Sequence, residues 1–220
     1  MTTPQFILDL RRKIDHAEPS NVQPSGLCVG EVSSYAAKGS WTGKERTMTT
    51  PQFILDLRRK IDHDLLWLMG VSGYVQDAQG RVLLGRRSDT GEWAMVYGIN
   101  EPGEEPADTV AREVKEETGV DVIVTDLVSV KSSRKILTYA NGDNTMYMDH
   151  LFLCRPDPNG NTEPFVGDDE SLEVGWFSPD ALPEPLAATT VERMGYVHDY
   201  LRHKADGDAH AQFAFRGVIR

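Results

Sequence analysis

Hydrophobic and polar positions alternate along several segments after residue 64, and this period of two predicts β-strands. Turn-forming residues separate the segments, as in Ala78-Gln79-Gly80, where the first two strands are expected to form a hairpin. The predicted strands cover residues 65–77, 81–89, 121–130, 145–155 and 171–177. The pattern therefore predicts a domain built on a sheet.

Two further segments have helical periodicity and lie between or after these strands. Residues 107–118 predict a helix that ends at Gly119, and residues 191–204 predict an amphipathic helix near the C-terminus. Residues 88–106 are rich in Gly and Pro and are expected to be loop. Strands interrupted by only two or three helices predict an α/β fold with a mixed β-sheet covered on both faces.

An exact repeat occupies the first third of the chain, since residues 1–16 and 48–63 both read MTTPQFILDLRRKIDH. Repeat folds need at least three copies, so we interpret the repeat as a duplication, an extended start site or an artefact, with Met48 as the natural start. A regulatory helix is the alternative. Each copy predicts a helix with a Thr cap, and the second has an apolar face of Phe53, Ile54, Leu57 and Ile61.

The predicted organisation has three parts: an N-terminal extension and linker over residues 1–47, a domain over residues 48–204, and a polar tail over residues 205–220. The linker between the two copies is rich in Gly, Ser and Pro. The helix at residues 49–63 is the candidate contact surface of a homodimer.

Composition narrows the classes of function. The chain is 40% hydrophobic, and it has neither an apolar run long enough for a membrane helix nor a signal peptide, so we expect a cytoplasmic protein without a membrane partner. Its formal net charge of -11 argues against nucleic acid as a partner. A phosphorylated substrate would therefore need a cation. Cys28 and Cys154 show no disulfide or metal-ligand spacing.

The helix predicted at residues 107–118 carries three glutamates on one face. Glu113, Glu116 and Glu117 lie at positions i, i+3 and i+4, within an arc of about 100°. Like charges this close repel one another unless a cation compensates them. Carboxylates favour Mg²⁺ or Mn²⁺ over Zn²⁺, and such an ion can neutralise diphosphate oxygens and activate a water. The alternative interpretation is a solvated acidic face.

Residues 98–120 fit the pattern GX5EX7REUXEEXGU at every defined position, which are Gly98, Glu104, Arg112, Glu113, Val114, Glu116, Glu117, Gly119 and Val120. This segment resembles the Nudix box, and the order of elements over residues 48–204 resembles a Nudix hydrolase domain of the MutT-like kind. The resemblance implies an α/β/α sandwich. It also implies Mg²⁺-dependent hydrolysis, with Mn²⁺ as a substitute, of the diphosphate bond in a nucleoside diphosphate linked to another moiety.

The same resemblance implies roles for single residues. Glu113, Glu116 and Glu117 match the metal-binding and catalytic carboxylates, and Glu113 is a candidate base. Gly98, Glu104, Arg112 and Gly119 match the structural positions, with Arg112 expected to pair with Glu104. The chain departs from many members at Val96-Tyr97, where those members have Pro-Gly before the box glycine.

Candidate substrate-binding residues lie outside the box, and they are Arg87, Tyr97, Arg134 and Glu170. Neighbouring strand residues face opposite sides, so at most one of Arg86 and Arg87 is expected to enter the site. Trp93 is equally suited to base stacking and to core packing. Glu170 belongs to an acidic loop that is a candidate source of the general base.

Three functions are compatible with this fold. The leading hypothesis is hydrolysis of a small nucleotide such as a nucleoside triphosphate, nucleotide sugar or dinucleotide. The alternative is a nucleotide-sensing module without catalysis, against which the complete set of box carboxylates argues. An isomerase acting on an isopentenyl-type diphosphate would need a catalytic Cys, and the setting of Cys154 does not resemble one.

Overall fold

The computed structural model describes residues 50–220, so the predictions for the first repeat copy, the linker and Met48 lie outside the described residues. The helices are α1 (Gln52–Ile61), α2 (Pro106–Thr118) and α3 (Ala188–Ala205). The strands are β1 (Leu66–Val75), β2 (Val82–Arg87), β3 (Trp93–Ala94), β4 (Val96–Ile99), β5 (Val122–Ser132), β6 (Leu137–Thr138), β7 (Asn144–Pro156), β8 (Ser171–Phe177), β9 (Gln212–Phe215) and β10 (Val218–Ile219). Within residues 50–220, no helix is long and apolar enough to cross a membrane.

The strands form two sheets. The larger sheet has the order β10-β9-β5-β7-β1-β4, with β6 added beside β7. It is mixed, because β1 runs parallel to β7 and β5 runs parallel to β9, whereas its other pairs are antiparallel. The smaller sheet is antiparallel and has the order β3-β2-β8.

Helices cover both faces of the large sheet. Val71 and Val75 of β1 pack with Val110 and Val114 of α2 in one buried cluster. On the other side of the strand, Tyr74 belongs to a second buried cluster that includes Met194 and Val197 of α3. Because side chains alternate along a strand, β1 contributes to both clusters. The predicted α/β/α sandwich with a mixed sheet is confirmed.

The turn predicted at Ala78-Gln79-Gly80 is present, but the two strands that it joins do not form the expected two-stranded hairpin. β1 belongs to the large sheet and β2 to the small one, and within residues 50–220 one antiparallel bridge, between Gln76 and Val82, joins their ends. β1 pairs with β4 and β7, and β2 pairs with β3 and β8. Both strands are buried for most of their length. Alternation predicted the strands correctly, but it holds no information about their partners.

Two segments for which no strand was predicted contain strands in the structure. The loop-rich stretch at residues 88–106 includes β3 and β4, and β4 pairs with β1 through Gly98 and Val71. The stretch at residues 205–220, expected to be a polar tail, includes β9 and β10. β9 extends the large sheet by pairing with β5, so this segment is part of the fold.

Helix α1 lies where the second repeat copy predicted a helix, but its start differs. Pro51 occupies the cap position and no side chain caps the helix, whereas a Thr cap was expected. Arg58 holds α1 on the domain by donating hydrogen bonds to the Asn144 carbonyl at 2.8 Å and to the Thr145 hydroxyl at 3.0 Å.

Candidate active site

Helix α2 is held rigidly on the sheet. Val110 and Val114 are fully buried, and they approach Gly73 of β1 so closely that an added β-carbon there would lie 3.0 Å from a methyl of Val110. Gly119 ends the helix in the left-handed conformation, with a φ of 73° that suits glycine. The opposite side of α2 therefore presents its glutamates from a fixed support.

A charged clamp joins the loop before α2 to the helix itself. Arg112 donates two hydrogen bonds to the Glu104 carboxylate, from Nε to Oε1 and from Nη2 to Oε2, each at 3.0 Å. Thr109 donates a third bond to Glu104 Oε2 at 2.9 Å. The hydrogen bonds from Arg112 are the main reason that the pKa of Glu104 is lowered to about 2.

The low pKa of Glu104 predicts a loss of stability in acid. An unfolded glutamate has a pKa of about 4.3, so the clamp stabilises the fold fully above about pH 5, and this contribution is lost as the pH falls towards 2. We expect Glu104→Gln to make the free energy of unfolding less dependent on pH between about pH 5 and about pH 3. Urea unfolding at the two pH values measures this, with Glu105→Gln at the exposed neighbour as control. An unchanged pH dependence in Glu104→Gln would contradict the role of the clamp.

Glu113 is partly buried beside the sheet. Its side chain packs against Gly98 of β4, where a β-carbon would overlap the Glu113 carboxyl group. Arg112 Nη1 contacts Glu113 Oε1 at 3.0 Å and the more exposed Glu116 Oε2 at 3.0 Å. Burial is the main reason that the pKa of Glu113 is raised to about 7. The charge of Arg112 lowers this pKa, and the charge of Glu116 raises it.

Glu117 lies among other carboxylates. Burial is the largest cause of its raised pKa, and the negative charges of Glu170, Glu113 and Asp168 raise it further. The pKa of Glu170 is also raised, by burial and then by the charge of Asp168. Glu113, Glu117 and Glu170 therefore form one electrostatic group, which we call the carboxylate cluster.

Glu170 reaches this cluster because its loop packs on the end of α2. The backbone N–H groups of Phe165 and Gly167 donate to the carbonyls of Thr118 and Glu117, at 2.9 and 3.0 Å. A β-carbon at Gly167 would overlap the Glu116 carbonyl, so the loop can approach the helix only with glycine at this position. Residues 165–170 are thereby joined to the helix that carries the box glutamates.

Arg87 is the cation that faces the carboxylate cluster from β2. Burial lowers the pKa of its guanidinium, but the hydrogen bonds and charge of Asp89, together with the charge of Glu117, outweigh burial and leave that pKa raised. Arg86 instead contacts Glu173, with Nη1 at 3.0 Å from Oε1. As the alternation along the strand predicts, only one of the two arginines faces the cluster.

The chain is similar in sequence to known proteins. The NUDIX domain family matches residues 67–199, which is more than half of the chain. The chain belongs to the Nudix family. It is 34% identical over 128 residues to a MutT-like protein of Streptomyces ambofaciens, covering 57% of this chain and 73% of that protein.

A second relative is the mouse 8-oxo-dGDP phosphatase NUDT18, 32% identical over 106 residues, which are 48% of this Nudix chain and 30% of that protein. The chain thus spans less than a third of this mouse relative. Among solved structures, a MutT NUDIX hydrolase from Burkholderia pseudomallei is 26% identical, with a TM-score of 0.47, over 60% of this chain and 98% of that one. The family model and the MutT-like relative together show family membership.

Two of the candidate substrate residues have their printed contacts outside the carboxylate cluster. Tyr97 packs on the α3 side of the sheet, where its hydroxyl lies 2.6 Å from that of Thr190 and the Arg193 guanidinium stacks on its ring at 4.6 Å, and Tyr97 also acts electrostatically on Arg87. Arg134 is exposed and acts electrostatically on Lys131 and Tyr196. Trp93 is buried and packs edge-on against Phe177 at 4.8 Å, so it is a core residue.

Sequence reasoning missed two features of the site. Asp89 holds Arg87 through two hydrogen bonds of 2.8 and 2.7 Å, and the spacing Arg-x-Asp in a turn was the available signal. Asp149 pairs with Arg193 at 3.0 Å and accepts a bond from Ser72 at 2.6 Å, beneath Tyr97. No local pattern could have found this second group of three residues, because Ser72, Asp149 and Arg193 come from three separate elements.

Proposed function

We propose that this protein is a Mg²⁺-dependent hydrolase that cleaves the diphosphate bond of a nucleoside diphosphate linked to another moiety. The carboxylate cluster is the observation that carries the proposal, because burial and neighbouring carboxylates raise the pKa of all three glutamates, and the guanidinium groups of Arg87 and Arg112 lie beside them. Such an arrangement is unfavourable for folding alone and suits the binding of a cation together with an anionic substrate.

The residues fit a hydrated magnesium ion. Across residues 50–220, no three Asp, Glu, His or Cys side chains form a ready-made metal cage. Mg²⁺ does not need one, because it keeps several waters and is usually bound by one or two carboxylates with substrate phosphates. Glu117 and Glu113 would be the inner ligands, and Glu116 and Glu170 would contact the ion directly or through water.

The side chains around the cation would have separate roles in the proposed reaction. A bound Mg²⁺ would neutralise diphosphate oxygens and lower the pKa of a water. Arg87 would bind a phosphate from the other side of the cluster, since guanidinium groups match phosphate geometry. The candidates for the group that accepts the proton of the attacking water are Glu113, whose pKa is about 7, and Glu170.

The names of the relatives suggest where to look for the substrate. One relative is named an 8-oxo-dGDP phosphatase, and another, from Salmonella, is named a nucleoside triphosphatase. Ordinary and oxidised nucleoside di- and triphosphates therefore come first, followed by nucleotide sugars and dinucleotides. Residence in the cytoplasm and self-association, which were expected from the sequence, stay predictions.

A substrate panel tests the proposed function. We expect at least one compound to be cleaved between two phosphorus atoms with Mg²⁺, and EDTA to abolish that turnover because the carboxylates then repel both one another and the substrate. Chromatography of the products measures cleavage, and reaction in ¹⁸O-labelled water shows which phosphorus was attacked. Tight binding of a nucleotide without any turnover in Mg²⁺ would contradict hydrolysis and favour a sensing module.

A further inference from the structure

Strand β2 changes its pairing at the residues that precede the site. Arg86 pairs with Glu173 and Arg87 pairs with Ser171, so Leu172 of β8 has no partner on β2. Such a bulge bends a strand and increases its twist, and bulges are common next to active sites because they redirect side chains. Gly85 permits the close approach, since a β-carbon there would lie 2.8 Å from the Ser171 hydroxyl. The extra residue lies on β8, so Arg86 and Arg87 stay consecutive on β2 and point to opposite sides of the strand.

The turn after β2 then fixes the Arg87 guanidinium. Its Nε donates to Asp89 Oδ1 at 2.8 Å, and its Nη2 donates to Asp89 Oδ2 at 2.7 Å. Paired bonds of this kind set the plane of the guanidinium as well as its position. The backbone N–H of Ser88, between the two residues, donates to the Glu170 carbonyl at 2.8 Å. Arg87 and the loop that carries Glu170 are therefore held in a fixed relation.

The Nη1 group of the Arg87 guanidinium is left available for a further hydrogen bond. Asp89 uses Nε and Nη2, and Nη1 has no hydrogen-bond acceptor within residues 50–220. The next anionic groups around Arg87 are Glu117 and Glu170. Without Asp89, the guanidinium would be drawn onto these carboxylates, which would occupy the groups needed for the cation and turn Nη1 away from the substrate.

We propose that Asp89 is a positioning residue that holds Arg87 beside the carboxylate cluster, with Nη1 directed to receive a phosphate of the substrate diphosphate. This inference rests on the proposed function, because it assigns a residue to the same site. Asp89 acts through Arg87 and does not touch the reacting atoms, and its charge also contributes to the raised pKa of Glu170.

A double-mutant cycle tests the proposal with inorganic pyrophosphate and Mg²⁺ as the probe, measured by titration calorimetry. We expect Arg87→Gln and Asp89→Asn each to weaken pyrophosphate binding about tenfold, and the double variant to bind about as weakly as Arg87→Gln alone. With a cleaved nucleotide, Asp89→Asn should raise KM by a similar factor while kcat stays within about threefold. Thermal midpoints close to that of the unmodified chain show that the fold is retained.

Glu173→Gln is the matched control. It removes the same charge from the carboxylate paired with the neighbouring arginine, and it should leave pyrophosphate binding unchanged. Additive effects in the cycle, an unaltered Asp89→Asn variant, an equal effect of Glu173→Gln, or no pyrophosphate binding by the unmodified chain would each overturn the proposal. A non-additive cycle in a chain that hydrolyses no nucleotide would support the role of Asp89 and refute the proposed function.

Discussion

Glu117→Gln is expected to lower kcat by about three orders of magnitude and, in EDTA, to raise the thermal midpoint by a few degrees. Activity falls because the variant lacks the carboxylate at the centre of the cluster. Stability rises because burial raises the pKa of Glu117 in the folded state, so the stability linked to its protonation is lost as the pH rises through that raised pKa. A neutral amide of the same shape avoids this cost.

Calorimetry in EDTA and steady-state kinetics in Mg²⁺ measure the two effects of this substitution. Glu105→Gln is the control, because it makes the same change at an exposed position just before α2 and should alter neither quantity much. A Glu117→Gln variant that kept more than a tenth of the activity would contradict the assignment. So would a lower midpoint in EDTA, which would show that the charge of Glu117 stabilises the fold.

Gly98→Ala is expected to lower kcat/KM by at least about a hundredfold and to destabilise the fold by about 1–3 kcal/mol. The added β-carbon would occupy the space of the Glu113 carboxyl group. Glu113 would then have to leave the sheet, which moves it relative to Glu117. Steady-state kinetics and urea unfolding of the purified variant measure both consequences.

Gly70→Ala is the matched control for that substitution. Gly70 lies on β1, next to β4, and an added β-carbon there would meet its nearest neighbour, in Tyr147, at an ordinary 3.4 Å. We expect this variant to retain most of the activity. If Gly98→Ala were as active as Gly70→Ala, the close contact between Gly98 and Glu113 would not determine the geometry of the cluster.

Local patterns in the sequence predicted the elements that have a strong period. The five predicted strands and helix α2 lie within a few residues of their observed bounds, because alternation and the stop at Gly119 are properties of neighbouring residues. The strand positions of β9 and β10 were missed. Each is short, and the side chains of Phe213, Phe215 and Val218 remain about half exposed, so their pattern resembles that of a tail.

The residues of the site also divide into those that a local sequence pattern predicted and those that it did not. The box glutamates and the clamp between Arg112 and Glu104 could be named from spacing, because all of them lie within one loop and one helix. Alternation along β2 predicted that only one of Arg86 and Arg87 faces the cluster. The approach of Glu170 depends instead on the contact of Gly167 with the end of α2, which is set by packing between distant segments and which no local pattern records.

We propose that Glu113, Glu117 and Glu170 together hold a divalent cation. Titration with Mn²⁺, followed by electron paramagnetic resonance, tests this binding without a substrate. We expect Glu113→Gln, Glu117→Gln and Glu170→Gln each to weaken Mn²⁺ binding, with the largest loss in Glu117→Gln, whereas Glu105→Gln should bind Mn²⁺ like the unmodified chain. Equal Mn²⁺ affinity in Glu117→Gln and Glu105→Gln would show that the cluster does not bind the cation.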